Sequence, residues 1–314
     1  MELNTARAVE LGSATRFNLS VMLPLDEQKF DMRVSTEWMR VNWTRSFVYA
    51  AFYALFIFFG QRHMRHRPRH MRHRPKYELR VPLVAWNLLL AVFSVMGCLR
   101  VYPEFWEALT EPGKGFSYSV CNNSYCETQE TSYWAWLFAL SKVVELGDTV
   151  FIVLRKQQLI FLHWYHHITV LIYTWYSFQE HTAPGRWFMV MNYTVHALMY
   201  TYYALRALKL RMPRWVPMTI TFLQLAQMIV GTALGFYSYY VKLRGFECQQ
   251  SFENIRYQLL MYASYFILFA HFFYKVYFAD GKFSSSRSHS RVASSVGLQE
   301  DKPHLQQHPK DKPE

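Results

Sequence analysis

Four stretches of the chain carry side chains that do chemistry in otherwise apolar surroundings. They are Lys142-Val-Val-Glu145-Leu-Gly-Asp148-Thr149, His163-Trp-Tyr-His166-His167, Asn192-Tyr-Thr-Val-His196-Ala-Leu-Met199-Tyr200-Thr-Tyr202-Tyr203 and Thr221-Phe-Leu-Gln224-Leu-Ala-Gln227. Near neutral pH an imidazole acts as nucleophile, general base or metal ligand. Carboxylates and a lysine beside it set its tautomer and charge, while amides and phenols donate hydrogen bonds to a developing oxyanion.

The elements that must hold these groups follow from composition. Of 314 residues, 52% are apolar and 18% charged, with 25 Phe, 22 Tyr and 10 Trp. That excludes a disordered chain, and four Cys are too few for a disulfide-stapled miniprotein. The mean hydropathy of −0.06 averages apolar blocks with basic loops and a polar tail. Seven windows with almost no charge stand out, at about 46–61, 81–99, 133–154, 159–178, 187–205, 215–241 and 257–278. Each approaches the ~20 residues a helix needs to cross ~30 Å of hydrocarbon. The expected fold is an all-α integral membrane protein of seven transmembrane helices. No cleaved signal peptide is evident, since the first window begins too late.

All four chemical stretches fall inside these windows, where a charged side chain costs roughly 2.5–3.5 kcal/mol on insertion scales and calls for a partner or a function. At 100° per residue, His163, His166 and His167 lie within an arc of about 100°, and Asn192, His196, Met199 and Tyr203 within about 60°. Glu145, His166, His196 and Gln224 each lie ten residues from the nearest flanking cation, Arg155, Lys156, Arg206 and Arg214. At ~1.5 Å per residue that is a common depth of about 15 Å, near mid-bilayer. Mutual hydrogen bonding would hold a bundle together in the same way. Three His on one face, with a fourth at equal depth on another helix, point to a site.

Loop charge gives the orientation. With the N-terminus outside and the C-terminus in the cytosol, most of the 34 Lys and Arg fall on the cytosolic side, including the loop over 62–80, which duplicates Met-Arg-His-Arg-Pro. The net charge of +12 is then read as topology and anionic-lipid contact rather than nucleic-acid binding. Three regions result: a lumenal tail over 1–45, a membrane body over 46–278, and a disordered cytosolic tail over 279–314. The tail ends Lys310-Asp-Lys312-Pro-Glu314, similar to a dilysine retrieval signal of the endoplasmic reticulum. Cys121, Cys126 and Cys248 share the oxidising side, where Cys121 is expected to pair with Cys248 and Cys126 is the competing partner. Asn18 and Asn122 lie in glycosylation sequons on that side.

The four stretches, in order and spacing over about 46–278, resemble the fatty-acid elongases of the endoplasmic reticulum, the ELO family. Trp164-Tyr165 within the histidine box is similar to the subgroup that extends saturated and monounsaturated chains around palmitate. The resemblance implies condensation of a long-chain acyl-CoA with malonyl-CoA to give 3-oxoacyl-CoA, CoA and CO₂, in a tunnel for the acyl chain enclosed by helices 2–7. It implies no metal and no cofactor beyond these substrates. The expected partners are membrane lipids and the 3-oxoacyl-CoA reductase, dehydratase and enoyl reductase of the cycle, with a homo-oligomer compatible and no nucleic acid. Such a Claisen condensation needs an acyl acceptor or close alignment, an electrophilic pocket and exclusion of water. No Cys lies at the common depth, so His166 is the expected nucleophile, forming an acyl-imidazole, with His163 or His167 orienting it. His196 assists decarboxylation or stabilises the enolate. Asn192, Gln224 and Tyr200 are candidate donors, Glu145 and Asp148 fix His tautomers or pair with Lys142, and Thr149, Tyr203 and Gln227 complete the polar network. Arg155, Lys156, Arg206, Lys209 and Arg211 are candidates for the CoA phosphates.

Two other classes fit parts of the pattern. A di-iron desaturase or hydroxylase also uses membrane histidines, but needs about eight. Within the windows only His163, His166, His167, His196 and His271 occur. A seven-span transporter or receptor matches the helix count and leaves the His cluster at one depth unexplained.

Overall fold

The computed structural model describes residues 27–65 and 78–278. Among the described residues there are helices and no strands. They are α1 (Met32–Asn42), α2 (Arg45–Arg65), α3 (Arg80–Thr110), α4 (Phe116–Cys121), α5 (Gln129–Val144), α6 (Gly147–Leu154), α7 (Phe161–Glu180), α8 (Gly185–Ala207), α9 (Trp215–Leu243) and α10 (Phe252–Phe273). The duplicated part of the basic loop, the C-terminal tail with its dilysine pattern and the sequon at Asn18 lie outside the described residues.

The bundle exposes large apolar side chains where a water-soluble one would carry polar groups. Phe52, Leu99 and Leu260 are 67%, 68% and 69% exposed, whereas Lys142 and Arg186 are each 1% exposed. A surface of that kind is stable against hydrocarbon, and the chain is a multi-pass membrane protein. By length and composition α3, α9 and α10 with its continuation to Phe278 suffice to cross a membrane, and α1 with α2, bent by 61°, makes a fourth if the pair is one span. Helices α7 and α8 are long enough, but their inward His, Asn and Tyr side chains dilute their apolar character.

Two boundaries differ from the sequence expectation. Residues 27–42, assigned to an N-terminal tail, pack on the bundle. Asp31 caps α1 by accepting from the Arg33 amide at 2.9 Å. Ser35, Trp38, Met39 and Asn42 repeat at the spacing of one helical face, and that face is buried against α5 and α7. The window at 133–154 is not one helix: α5 stops at Val144 and α6 starts at Gly147. Leu146, Asp148 and Thr149 donate to carbonyls three residues back, so the backbone tightens into a 3₁₀ pattern through the chemical stretch.

Helix α8 runs along α3 and α9 along α10. Gly97 permits the first approach, since a Cβ there would stand 2.5 Å from the Tyr193 ring. Cys121 at the end of α4 is bonded to Cys248 after α9, and Cys126 is a free thiol.

Candidate active site

The site begins at the break between α5 and α6. Lys142 on the last turn of α5 donates to Glu145 Oε1 at 2.7 Å and reaches across to Asn192 Oδ1 on α8 at 2.9 Å. Ser141 donates to the same Glu145 oxygen at 2.9 Å. Asn192 in turn bonds His196 Nε2 through its amide nitrogen at 3.1 Å, and His196 Nδ1 lies 3.9 Å from Glu145 Oε1. One carboxylate, one ammonium, one amide and one imidazole therefore form a closed circuit joining α5 to α8. Glu145 Oε2 is buried without a partner.

Across from it, α7 presents its three histidines on one face. The rings of His163 and His167 are 4.4 Å apart and those of His166 and His167 5.6 Å. His163 Nε2 is 2.9 Å from the Thr149 hydroxyl, which is 2.6 Å from the Tyr53 hydroxyl on α2. His166 packs against the ring of Tyr265 at 4.9 Å, and its carbonyl accepts from the Tyr265 hydroxyl at 3.3 Å. His167 Nδ1 is buried and has no partner. Asp148 accepts from Trp86 Nε1 at 2.6 Å and the Tyr200 hydroxyl at 2.8 Å. Gln224 on α9 points its amide nitrogen at Met199 Sδ, 3.3 Å away.

These groups line a cavity of about 150 Å³ that takes in Glu145, Asp148, His163, His166, His167, Asn192 and His196, with Tyr200, Tyr203, Gln224 and Gln227 on its further walls. The four residues placed at equal depth by counting from flanking cations all reach this one space. A second cavity of about 90 Å³, with walls of Phe138, Val170, Met189 and Met261, extends toward the disulfide end of the bundle. His166, Asn192 and Gln227 line both cavities. His271 is exposed and takes no part. The cations Arg155 and Lys156 follow α6, Arg206 lies in the last turn of α8 and Lys209 and Arg211 follow it, and the first cavity's lining does not include them. Among the described residues, no group of three or more His, Cys, Asp and Glu is arranged to hold a metal ion.

Polar side chains from α7, α8 and α9 and from the break after α5 meet at one buried space. The ELO family model, described as the GNS1/SUR4 family, matches residues 38–285. The chain belongs to the ELO family, whose members carry out the condensation of fatty-acid elongation. It is 50% identical over 271 residues to very long chain fatty acid elongase 6 of Drosophila melanogaster, covering 85% of this chain and 83% of that one. It is 48% identical to the elongase 6 of Homo sapiens, covering 80% of this chain and 91% of that one. Mouse elongase 3 is 41% identical, with 82% and 91% covered. For an ELO chain, the sequence reading left out Tyr53, Trp86, Asn87 and Tyr265. Asn87 lines the first cavity and was visible as an amide within an apolar window. The three aromatics carried no such signal in a chain so rich in them.

Proposed function

We propose that this chain joins a long-chain saturated or monounsaturated acyl-CoA to malonyl-CoA through an acyl-imidazole on His166. The observation that carries the reading is the position of His166 on the wall shared by two cavities, the first of which also gathers Glu145, Asp148, His163, His167 and His196. The acyl chain lies in the second cavity, the thioester carbonyl at the junction and the CoA side in the first. Together the cavities form a tunnel enclosed by α3 and α5 to α10. The His166 imidazole attacks the carbonyl, CoA leaves as the thiol, and the acyl group stays on nitrogen. Malonyl-CoA then loses CO₂, its enolate attacks the acyl-imidazole, and the departing imidazolate takes up one proton from solvent, which restores neutral His166 as 3-oxoacyl-CoA is released. Asn192 holds His196 where the enolate develops, with Gln224 and Tyr200 as further donors. His163 and His167 pack around the nucleophile, and Glu145 with Lys142 fixes the polar wall.

The same reading places seven spans across the membrane of the endoplasmic reticulum. The N-terminus is lumenal and the C-terminus cytosolic, with Asn122 open to glycosylation. Arg155, Lys156, Arg206, Lys209 and Arg211 stand on the side where CoA enters. The product passes to the reductase, dehydratase and enoyl reductase of the cycle.

Purified chain incubated with palmitoyl-CoA alone tests the route. A stoichiometric burst of CoA and an acyl adduct on His166 by mass spectrometry are expected. Active enzyme giving neither result rejects the nucleophile and leaves a one-step condensation with His166 as base.

A further inference from the structure

We infer that Tyr53, on a helix that lines neither cavity, is a positioning residue that acts through Thr149 to fix the ring proton of His163 on Nδ1. The inference rests on the histidine-based condensation proposed above. The Tyr53 hydroxyl is 2.6 Å from the Thr149 hydroxyl, which is 2.9 Å from His163 Nε2. Tyr53 and Thr149 are 5% and 0% exposed. Thr149 differs from other threonines of the bundle. Thr169, Thr194, Thr221 and Thr232 turn their hydroxyls back to the carbonyl four residues earlier at 2.7–2.9 Å, the common resting place of such a group in a helix. Among the described residues, the Thr149 hydroxyl bonds Tyr53 and His163 instead. It stands at the helix break, where the Glu145 carbonyl four residues earlier takes the Asp148 amide at 3.2 Å.

These hydrogen bonds run in one direction. The Tyr53 O–H, buried in a membrane helix, needs an acceptor, and among the described residues the Thr149 oxygen is the one it meets. With that oxygen accepting, the Thr149 proton goes to His163 Nε2, and the ring proton of His163 must sit on Nδ1. The reverse direction, from His163 through Thr149 to Tyr53, leaves the Tyr53 proton buried with no acceptor. His163 lines the first cavity and its ring is 4.4 Å from that of His167, so the fixed tautomer decides which nitrogen this wall offers as a donor. Helix α2 is seated for the task. Gly60, about two turns beyond Tyr53 on the same face, admits α6 closely, since a Cβ there would stand 3.1 Å from Val153 Cγ1. The Tyr53 ring also packs 6.4 Å from the ring of His167, a contact that phenylalanine would keep.

The test compares the full-length wild type with Tyr53→Phe, Thr149→Val, Thr149→Ser and the double variant Tyr53→Phe with Thr149→Val, each condensing palmitoyl-CoA with labelled malonyl-CoA. Tyr53→Phe and Thr149→Val should each lower kcat by roughly 10- to 100-fold, the range seen when the partner that orients an imidazole in a metal site is lost, and leave KM unchanged. Thr149→Ser, which keeps the hydroxyl, should retain the rate. The double variant should match Thr149→Val within about twofold, because Tyr53 acts through Thr149. An unchanged kcat in Tyr53→Phe, or losses that multiply in the double variant, overturns the inference while the elongase reading stands; a wild type that condenses nothing overturns that reading instead. NMR of the wild type carrying isotope-labelled histidine, with His163 assigned by its absence from His163→Gln, reads the tautomer itself. A proton on Nδ1 is expected, and a proton on Nε2 rejects the inference.

Discussion

Lys142 and Glu145 form an ion pair 2.7 Å long in which the side chains are 1% and 4% exposed. The pair lies beside the helix break, and its carboxylate oxygen is also 3.9 Å from His196 Nδ1. One carboxylate thus answers to an ammonium on its own helix and an imidazole on another.

Removing the ammonium leaves that carboxylate buried and uncompensated. Lys142→Met is expected to destabilise the fold by about 3–5 kcal/mol, and Lys142→Met with Glu145→Gln to recover a large part of it. Thermal unfolding in detergent, read on both variants, checks this. Equal losses in the single and double variants would mean that the pair is not coupled.

His166 on α7 and His196 on α8 should separate by stage. His166→Ala should abolish both the CoA burst and condensation. His196→Ala should keep the burst and the acyl adduct while slowing turnover by roughly 10²–10³-fold, the effect of losing one donor to an oxyanion. Loss of the burst in His196→Ala would assign that ring to the first step.

The Cys121–Cys248 bond spans 127 residues of chain. On loop-closure entropy, its removal costs about 4–5 kcal/mol. Cys121→Ser with Cys248→Ser should lower the thermal midpoint, and reductant should lower that of the wild type while leaving the double variant unaffected.

His181, the left-handed residue that ends α7, sits between Thr36, Cys126 and the charge of Arg40. Burial first, and Arg40 second, hold its pKa below the usual histidine value. The folded chain therefore keeps this ring neutral, and unfolding takes up a proton below about pH 6.5. The stability it contributes is present above that pH and is lost as pH falls. His181→Asn, which tolerates the left-handed backbone, should flatten the decline of the thermal midpoint on acidification.

What the sequence made legible was polarity out of place. Lys142, Glu145, Asn192, His196 and Gln224 stand out because membrane windows otherwise exclude them, and counting from the flanking cations brings Glu145, His166, His196 and Gln224 to one depth. Tyr53, Trp86 and Tyr265 could not be singled out in that way, because an aromatic in an apolar helix reads the same whether it faces lipid or hydrogen-bonds to Thr149, Asp148 or the His166 carbonyl. The break at Glu145–Leu146 was hidden for another reason: no Gly or Pro interrupts the run before Gly147, and the tightening becomes apparent only in the backbone bonds. Helix α1 escaped because its buried face mixes Ser and Asn with Trp and Met, which gives a short chain segment little apolar contrast.

The sharing of His166, Asn192 and Gln227 by two cavities also bears on how successive cycles are connected. On the proposed reading, a product keeps its tail in the second cavity and its CoA in the first. It must leave by the route its head occupies, be reduced elsewhere, and compete again with fresh substrate for entry. On that reading elongation by this chain would be distributive, and the spread of product lengths would be governed by rebinding rather than by retention of a growing chain.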